Sequence, residues 1–261
     1  MKVAEVIASI EEFAPLHTQE PWDHSGLQLG DFNAEVTAAL LCVDVTETVI
    51  AEAVERGCNL IIAHHPLIFR ALYALTGATP VERCVLMALR HNIAIYSSHT
   101  PMDKWAGGVS ARMAQRLGLI HPSVLSPDAS DADRGLGVIA DLPTPQRADD
   151  FIRHIQTVFQ VPMLRHTHFD ASRMLTRVAM CGGSGSEFVS LAQSKGADLY
   201  LSADFKYHDF FVDETQMILV DIGHYESEQC VKELFFEIIS KKFPTFALYY
   251  ANADKTPICY Q

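Results

Sequence analysis

Long apolar runs, paired cysteines and blocks of like charge are all missing from this chain. No stretch approaches the roughly 20 apolar residues that a membrane-spanning helix requires. The six cysteines (Cys42, Cys58, Cys84, Cys181, Cys230 and Cys259) are scattered, with no C-x-x-C pair among them. That spacing speaks against a disulfide framework and against a thiolate metal site, and reads instead as buried free thiols in a reducing cytoplasm. Positive charge is short as well: 20 Lys and Arg stand against 32 Asp and Glu, for a net charge of −12 and a pI of about 5.4. An acidic chain is poorly suited to tracking a phosphate backbone, so nucleic acid is not a default partner. No run of five like charges marks a solvated tail. The opening MKVAEVIASIEEFAPL does not have the form of a signal peptide. Val3, Val6, Ile7, Ile10 and Phe13 recur at helical spacing, and Glu5, Glu11 and Glu12 interrupt them.

What is present is a chain of 261 residues with 49% hydrophobic composition, enough for one large domain or two lobes with real cores. Its first part alternates strands and helices. AALLCVDV (38–45) is a buried-strand run, TETVIAEAVERG (46–57) an amphipathic helix closing on Gly57, and NLIIAHH (59–65) the next strand. VERCVLMALRHN (81–92) reads as a helix, IAIYSSHT (93–100) as a strand and GVSARMAQRLGL (108–119) as a helix. HPSVLSPDASDADR (121–134) has turn composition and reads as a lobe boundary, and GLGVIADLP (135–143) as an edge strand. A helix at 148–161, a strand–helix–strand unit at 177–210, a strand at 217–224, one long helix at 227–243 and a last strand at 246–251 complete the pass. Such alternation predicts an α/β fold with mostly parallel sheets.

The chain also repeats itself. LLCVDVTETVIAEAVERGCNLIIAHH lies over VAMCGGSGSEFVSLAQSKGADLYLSAD at a constant offset of 139, matching Cys42 with Cys181, Gly57 with Gly196 and His65 with Asp204. IAIYSSHTPMD lies over ILVDIGHYESE at offset 125, matching His99 with His224 and Asp103 with Glu228. Both halves therefore contain a strand–helix–strand unit and then a strand ending in His-x-x-x-carboxylate. The expectation is an internal duplication: a first α/β lobe over 1–123 with 244–261, and a second over 124–243.

Ligands of open α/β sheets bind at the carboxyl ends of the strands. Three polar clusters fall there: His64 with His65, His99 with Asp103, and His224 with Glu228. A His-x-x-x-Glu spacing puts both side chains on one helix face. Neutral imidazoles converging with carboxylates suit a divalent transition metal such as Zn, Fe, Mn or Ni. His64, His65, Asp103, His224 and Glu228 supply enough donors for two ions, and a two-metal site can activate water and clamp both oxygens of a displacement. His17, His91, His121, His154, His166 and His168 are read as ordinary hydrogen-bonded residues. CGGSGSE (181–187) lacks the Lys-Ser/Thr end of a P-loop, and reads as a tight strand–helix turn in preference to an anion cradle. WDHSGLQLG (22–30) reads as a structural loop in preference to a substrate contact. ADFKYHDF (203–210) takes the place in the second half that HHPLIF takes in the first.

At HHPLIF, together with WDHSGLQLG, SSHTPMD (97–103) and GHYESE (223–228), the chain resembles the NIF-three-like family, whose members are often described as GTP cyclohydrolase I type 2 homologues. The order and spacing of all four motifs fit, and the likeness runs over nearly the whole chain. The resemblance implies two similar, intertwined three-layer α/β/α lobes in the compact form, without the inserted domain some relatives carry. It implies toroidal homohexamers with two divalent transition-metal ions per subunit, held by His64, His65, Asp103, His224 and a bridging Glu228. It places His99 beside the ligands as a proton-handling or substrate group. Two functions are compatible with this. One is a metal-dependent hydrolase acting on a nucleotide or small heterocycle, a cyclic amidine or a phosphoester. The other is a non-catalytic metal-handling or regulatory protein-interaction module.

Overall fold

A computed structural model describes residues 1–261. The chain divides into two compact units: Met1–Met102 with Val231–Pro257, and Asp103–Cys230 with Ile258–Gln261.

The first unit is built on a five-stranded sheet. Helix α1 (Val3–Glu11) precedes β1 (Gly26–Leu29) and β2 (Ala38–Cys42); α2 (Glu47–Glu55), β3 (Leu60–Ala63), α3 (Pro80–Arg90) and β4 (Ala94–Ser97) follow. The C-terminal segment adds a second helix and an edge strand, described below as α9 and β11. Strands β2, β3 and β4 run parallel, and β1 lies antiparallel on β4. Every residue of β2, β3 and β4 is buried, as expected of strands covered on both faces. One face, with Leu40, Cys42, Ile61, Ala63 and Ile95, receives Val49, Ile50 and Ala53 of α2 and Cys84, Val85 and Ala88 of α3. The opposite face carries Tyr96, whose hydroxyl donates to Glu11 Oε1 of α1 at 3.3 Å. Local signals start the helices. Thr46 accepts from the Val49 amide, and Thr79 accepts from the Glu82 amide just ahead of Pro80 at the first helical position.

The second unit opens within α4 (Thr100–Lys104) and continues through α5 (Val109–Arg116), β5 (Ile120–Asp128), β6 (Asp131–Arg147), α6 (Ala148–Phe159), β7 (Arg165–His166), β8 (Met174–Ser184), α7 (Val189–Ser194), β9 (Leu199–Ala203), β10 (Ile218–Asp221) and α8 (His224–Glu228). The chain then returns to the first unit as α9 (Val231–Lys242), which packs on α1 and β2, and β11 (Ala247–Tyr250), which pairs parallel with β2. The second sheet has the order β5-β6-β8-β9-β10-β7. Its β8, β9 and β10 are parallel, and β7 is antiparallel on β10. The protein is thus a mixed α/β protein with two mixed sheets. The first sheet has four adjacent parallel strands, β11-β2-β3-β4, and the second three, β8-β9-β10; in each an antiparallel strand, β1 or β7, lies beyond the last of them.

Four sequence expectations change. Residues 121–134 are not a boundary loop: β5 pairs antiparallel with β6 through them. Most of β5 is exposed and only Leu125 is fully buried, so no period-2 signal could form, and an edge strand tolerates Pro122 and Pro127. GLGVIADLP is not an edge strand, because β6 pairs on both sides, with β5 and with β8. The helix expected over 227–243 is two, α8 and α9. The lobes also exchange elements relative to the expected 1–123/244–261 and 124–243. Helix α5 belongs to the second unit, where it packs on β6 and β8, and α9 belongs to the first. The division falls at 102/103 and 230/231.

The loop after β3 is pinned by one carboxylate. Glu82 accepts from the Thr76 amide and hydroxyl, the Ala78 amide and the Thr79 hydroxyl. Hydrogen bonds from the Thr76 amide and hydroxyl, foremost, lower its pKa from the ordinary 4.5 to about 2. A depressed folded-state pKa stabilises the fold fully above 4.5, and the contribution is lost as pH falls toward 2. Glu82→Gln should therefore lower the melting temperature at pH 7, with the gap to the parent protein closing between pH 4.5 and about 2. A gap that stays constant across that range in thermal melts would refute the assignment.

Candidate metal centre

Three imidazoles gather in the first unit. His64 and His65 follow directly on β3, and His99 follows β4 just before α4. Because β3 and β4 are parallel neighbours in register, their carboxyl ends lie side by side, and so do the residues that leave them. The ring centroids are 5.0 Å apart for His64–His65, 5.2 Å for His64–His99 and 5.3 Å for His65–His99. One nitrogen from each ring lies within 4.8 Å of the other two, close enough to hold a single ion. His64 is fully buried. Of the residues named from sequence, the structure therefore brings His99 into one donor cluster with the histidine pair.

Each ring is oriented by an acceptor on its Nδ1. The partner of His64 is the Ser98 carbonyl at 3.0 Å, that of His65 is Asp44 Oδ1 at 2.9 Å, and that of His99 is Asp23 Oδ1 at 2.9 Å. Carbonyls and carboxylates only accept, so Nδ1 carries the proton in each ring and Nε2 is the nitrogen left to bind a cation or take a proton. This is the outer-shell arrangement that fixes the tautomer of metal-binding histidines and raises their basicity. The acceptors are themselves held. Asp44 is positioned through its amide, which donates to Asp254 Oδ1 at 3.3 Å, while the Val43 amide donates to Asp254 Oδ2 at 2.9 Å. Lys232 of α9 neutralises Asp254 at 2.9 Å. Asp23 accepts from His99, the Thr100 amide and hydroxyl, the Ser25 hydroxyl and the His24 amide. Burial opposes its charge, but the hydrogen bonds from His99 and Thr100 outweigh burial and hold the carboxyl well below the usual range.

The second unit holds a donor group of its own. His224 and Glu228 are the first and last residues of α8, one turn apart, with Nε2 and Oε2 at 3.1 Å. The Nδ1 of His224 donates to Asp204 Oδ2 at 2.6 Å, from the loop after β9. Glu228 is buried. Burial disfavours the imidazolium, but Asp204 and Glu228 on either side outweigh it and raise the His224 pKa from 6.5 to about 11. Asp103 lies on α4, whose next residue, Lys104, pairs with Asp128 of β5 at 2.9 Å. Burial first, then the charges of Asp103, Glu228 and Glu187, push the Cys181 thiol well up, which keeps it protonated in the metal-free protein.

CGGSGSE carries the end of β8 into the turn before α7, the strand–helix connection expected for it. Two of its amides are taken within the protein: Gly182 donates to Ser110 Oγ at 3.2 Å and Gly183 to Ser227 Oγ at 2.9 Å. Gly183 sits at φ +63°, and a Cβ there would come within 2.1 Å of Glu228 Oε1 and 3.2 Å of His224 Nε2. The glycine clears the space that the two donors face. Imidazole and carboxylate donors with no thiolate, tethered outer-shell acceptors and this cleared space all fit a divalent transition metal. The sequence does not single out Asp23, Asp44 or Asp204 as tethers. The rule that sites lie at strand ends would have flagged Asp44, two residues beyond β2, and Asp204, which directly follows β9.

Two mixed α/β sheets carrying His/Glu clusters at strand ends define a class of α/β protein with candidate metal-binding sites. The chain belongs to the Duf34/NIF3 (NGG1p interacting factor 3) family, whose model matches residues 1–257. It is 34% identical over 230 residues to the GTP cyclohydrolase 1 type 2 homolog of Clostridium perfringens, covering 87% of each chain. It is 33% identical over 264 residues to that of Lactococcus lactis, covering 98% of each. Its fold superposes on the crystal structure of Staphylococcus aureus protein SA1388 with a TM-score of 0.91 at 26% identity, covering 100% of this chain and 99% of that one. No helix is long and apolar enough to cross a membrane.

Two measurements test this geometry. Gly183→Ala should keep its far-ultraviolet circular dichroism yet lose at least half of the bound metal in elemental analysis, because the new methyl displaces Glu228; unchanged metal content would show that the cleared space is not used. A cation at His224 Nε2 must also displace the proton that Asp204 and Glu228 stabilise. Metal affinity should then rise about tenfold per pH unit near neutrality, with proton release visible by calorimetry in buffers of different ionisation enthalpy. Uptake at pH 7 with no proton released would exclude His224 as a ligand.

Proposed function

We propose that the protein is a dinuclear metal-dependent hydrolase acting on a nucleotide or small heterocyclic substrate, with His64, His65, Asp103, His224 and Glu228 as metal ligands. The observation that carries the reading is the gathering of His64, His65 and His99 at the ends of β3 and β4, with one nitrogen of each ring within 4.8 Å of the other two. Relatives named GTP cyclohydrolase 1 type 2 homolog support the choice of substrate class. Two divalent ions would supply Lewis acidity toward a carbonyl or phosphoryl oxygen and lower the pKa of water. His99, held by Asp23 as the Nδ1–H tautomer, would accept and return the proton through Nε2, as a general base oriented by a carboxylate does.

We further infer that an internal duplication underlies the two units, supported by the order of three parallel strands and one antiparallel strand that both contain, β2-β3-β4-β1 and β8-β9-β10-β7. By family likeness we propose two intertwined three-layer lobes and a cytoplasmic toroidal homohexamer, with a native mass about six times the 29.0 kDa of the chain.

Elemental analysis of protein purified without added metal, beside His65→Ala and Glu228→Ala, tests the centre. About two Zn, Fe, Mn or Ni ions per chain, falling in both variants, are expected, and turnover of a nucleotide or heterocycle that depends on His99 should follow. Absence of metal even after reconstitution would remove the proposal. Full occupancy with rapid exchange and no turnover across a broad panel would replace the hydrolase with a metal-handling role.

A further inference from the structure

Beside the histidine cluster of the first unit lies a group of aromatic rings that the metal chemistry does not use. Trp22 is 54% exposed and Phe69 42% exposed, although both are large apolar side chains in a well-packed unit. They are not scattered. Trp22 meets Phe69 at 6.1 Å between centroids, inclined by 54°. Both turn an edge-on contact to the same ring, His99, at 5.8 Å from Trp22 and 6.3 Å from Phe69. His24 closes on the far side of Phe69 at 6.0 Å.

The two loops that carry these rings are tied together. Gln28 of β1 donates from Nε2 to the His24 carbonyl at 2.6 Å and accepts at Oε1 from the Ile68 amide at 3.1 Å. One side chain thus fixes the 22–24 turn against the 68–69 turn. Asp23, between Trp22 and His24, is locked to His99 and Thr100. The rings are held in place from beneath while their surfaces stay in water. Folding alone does not ask for this, since an exposed indole and an exposed phenyl bury little area.

We propose that Trp22 and Phe69 form a stacking platform that binds a flat, nitrogen-containing aromatic ring system and sets it against His99. The platform rests on the hydrolase reading for its purpose, and on its own geometry for the class of ligand. An aromatic face rewards a flat π surface and is indifferent to the hydrogen-bonding edge, so affinity follows stacking area more than ring substituents. Bicyclic purines should bind better than monocyclic pyrimidines, and sugars without a base should not bind. Trp22 and Phe69 are substrate-contacting residues in this assignment, and Gln28 is a positioning residue.

The test uses the metal-loaded protein and four probes: guanosine, adenosine, cytidine and ribose 5-phosphate, titrated calorimetrically against parent, Trp22→Ala, Trp22→Phe, Phe69→Ala and Gln28→Ala. Both purine nucleosides should bind with similar affinity, cytidine more weakly and ribose 5-phosphate not at all. Trp22→Ala and Phe69→Ala should each weaken purine binding by about tenfold with metal content unchanged, and Trp22→Phe should restore most of it. Gln28→Ala should weaken binding with both rings still present. Equal binding of parent and alanine variants, or no binding of any base, overturns the platform. A change in native mass on Trp22→Ala with no change in base affinity also overturns it, and reassigns the rings to a subunit contact. Base binding without turnover of any heterocycle keeps the platform and removes the hydrolase reading. Turnover of a substrate without a flat ring, insensitive to Trp22→Ala, does the reverse.

Discussion

In each unit the donor group depends on Nδ1 hydrogen bonds that hold its imidazoles. An imidazole can bind a cation through either nitrogen, and a ring free to flip presents both. Here His64, His65, His99 and His224 each spend Nδ1 on an acceptor that cannot donate: a backbone carbonyl or the carboxylates of Asp44, Asp23 and Asp204. The consequence is chemical and geometric at once. The ring plane is fixed in all four, and in a neutral ring the proton is held on Nδ1. The carboxylates need fixing in turn. Asp23 is held by five donors, and the turn bearing Asp44 is held by Asp254, which Lys232 neutralises. The last of these ties reach residues far along the chain, and this gives the C-terminal segment of the first unit a role in orienting His65.

Parallel sheets explain why such a network can be assembled at all. A parallel strand buried on both faces is uniformly apolar, and its polar neighbours are pushed to the ends. In register, β2, β3 and β4 end together, so Asp44, the His64–His65 pair and His99 emerge at one edge of the sheet. In the second unit β9 and β10 do the same for Asp204 and His224. The fully buried β3 and β4 then supply the low-dielectric floor against which the hydrogen bonds of these rings gain strength.

Local chemistry was legible in the sequence and long-range chemistry was not. The apolar runs that became β2, β3, β4, β9 and β10 stood out, because uniform burial leaves a continuous hydrophobic string. The pair His64–His65 and the spacing His224-x-x-x-Glu228 stood out because their partners are within one turn of chain. Asp23 and His99 are 76 residues apart, and Asp44 and His65 are 21 apart. Their pairing appears only when the strands between them have found their register. The hairpin of β5 and β6 was hidden for the opposite reason. Its first strand is mostly exposed, so proline and polar residues cost it little and burial imposed no alternation. The exchange of α5 and α9 between units was hidden too, since a helix's own periodicity says that it has an apolar face and not which sheet will cover it.

The donor set also narrows the choice of metal. Magnesium and calcium prefer all-oxygen shells, and three clustered imidazoles are a poor match for them. Copper(I) and iron–sulfur clusters call for thiolates or thioethers. Cys181, buried and close enough to Asp103, Glu228 and Glu187 to feel their negative charge, is kept protonated in the metal-free protein. Imidazoles with carboxylates are left, a set that suits zinc, iron, manganese and nickel. Affinity by itself rises along that first-row series toward nickel and copper, so the histidine cluster does not discriminate finely among them. What the protein controls is the orientation of each donor and, through Gly183, the room available between Glu228 and His224.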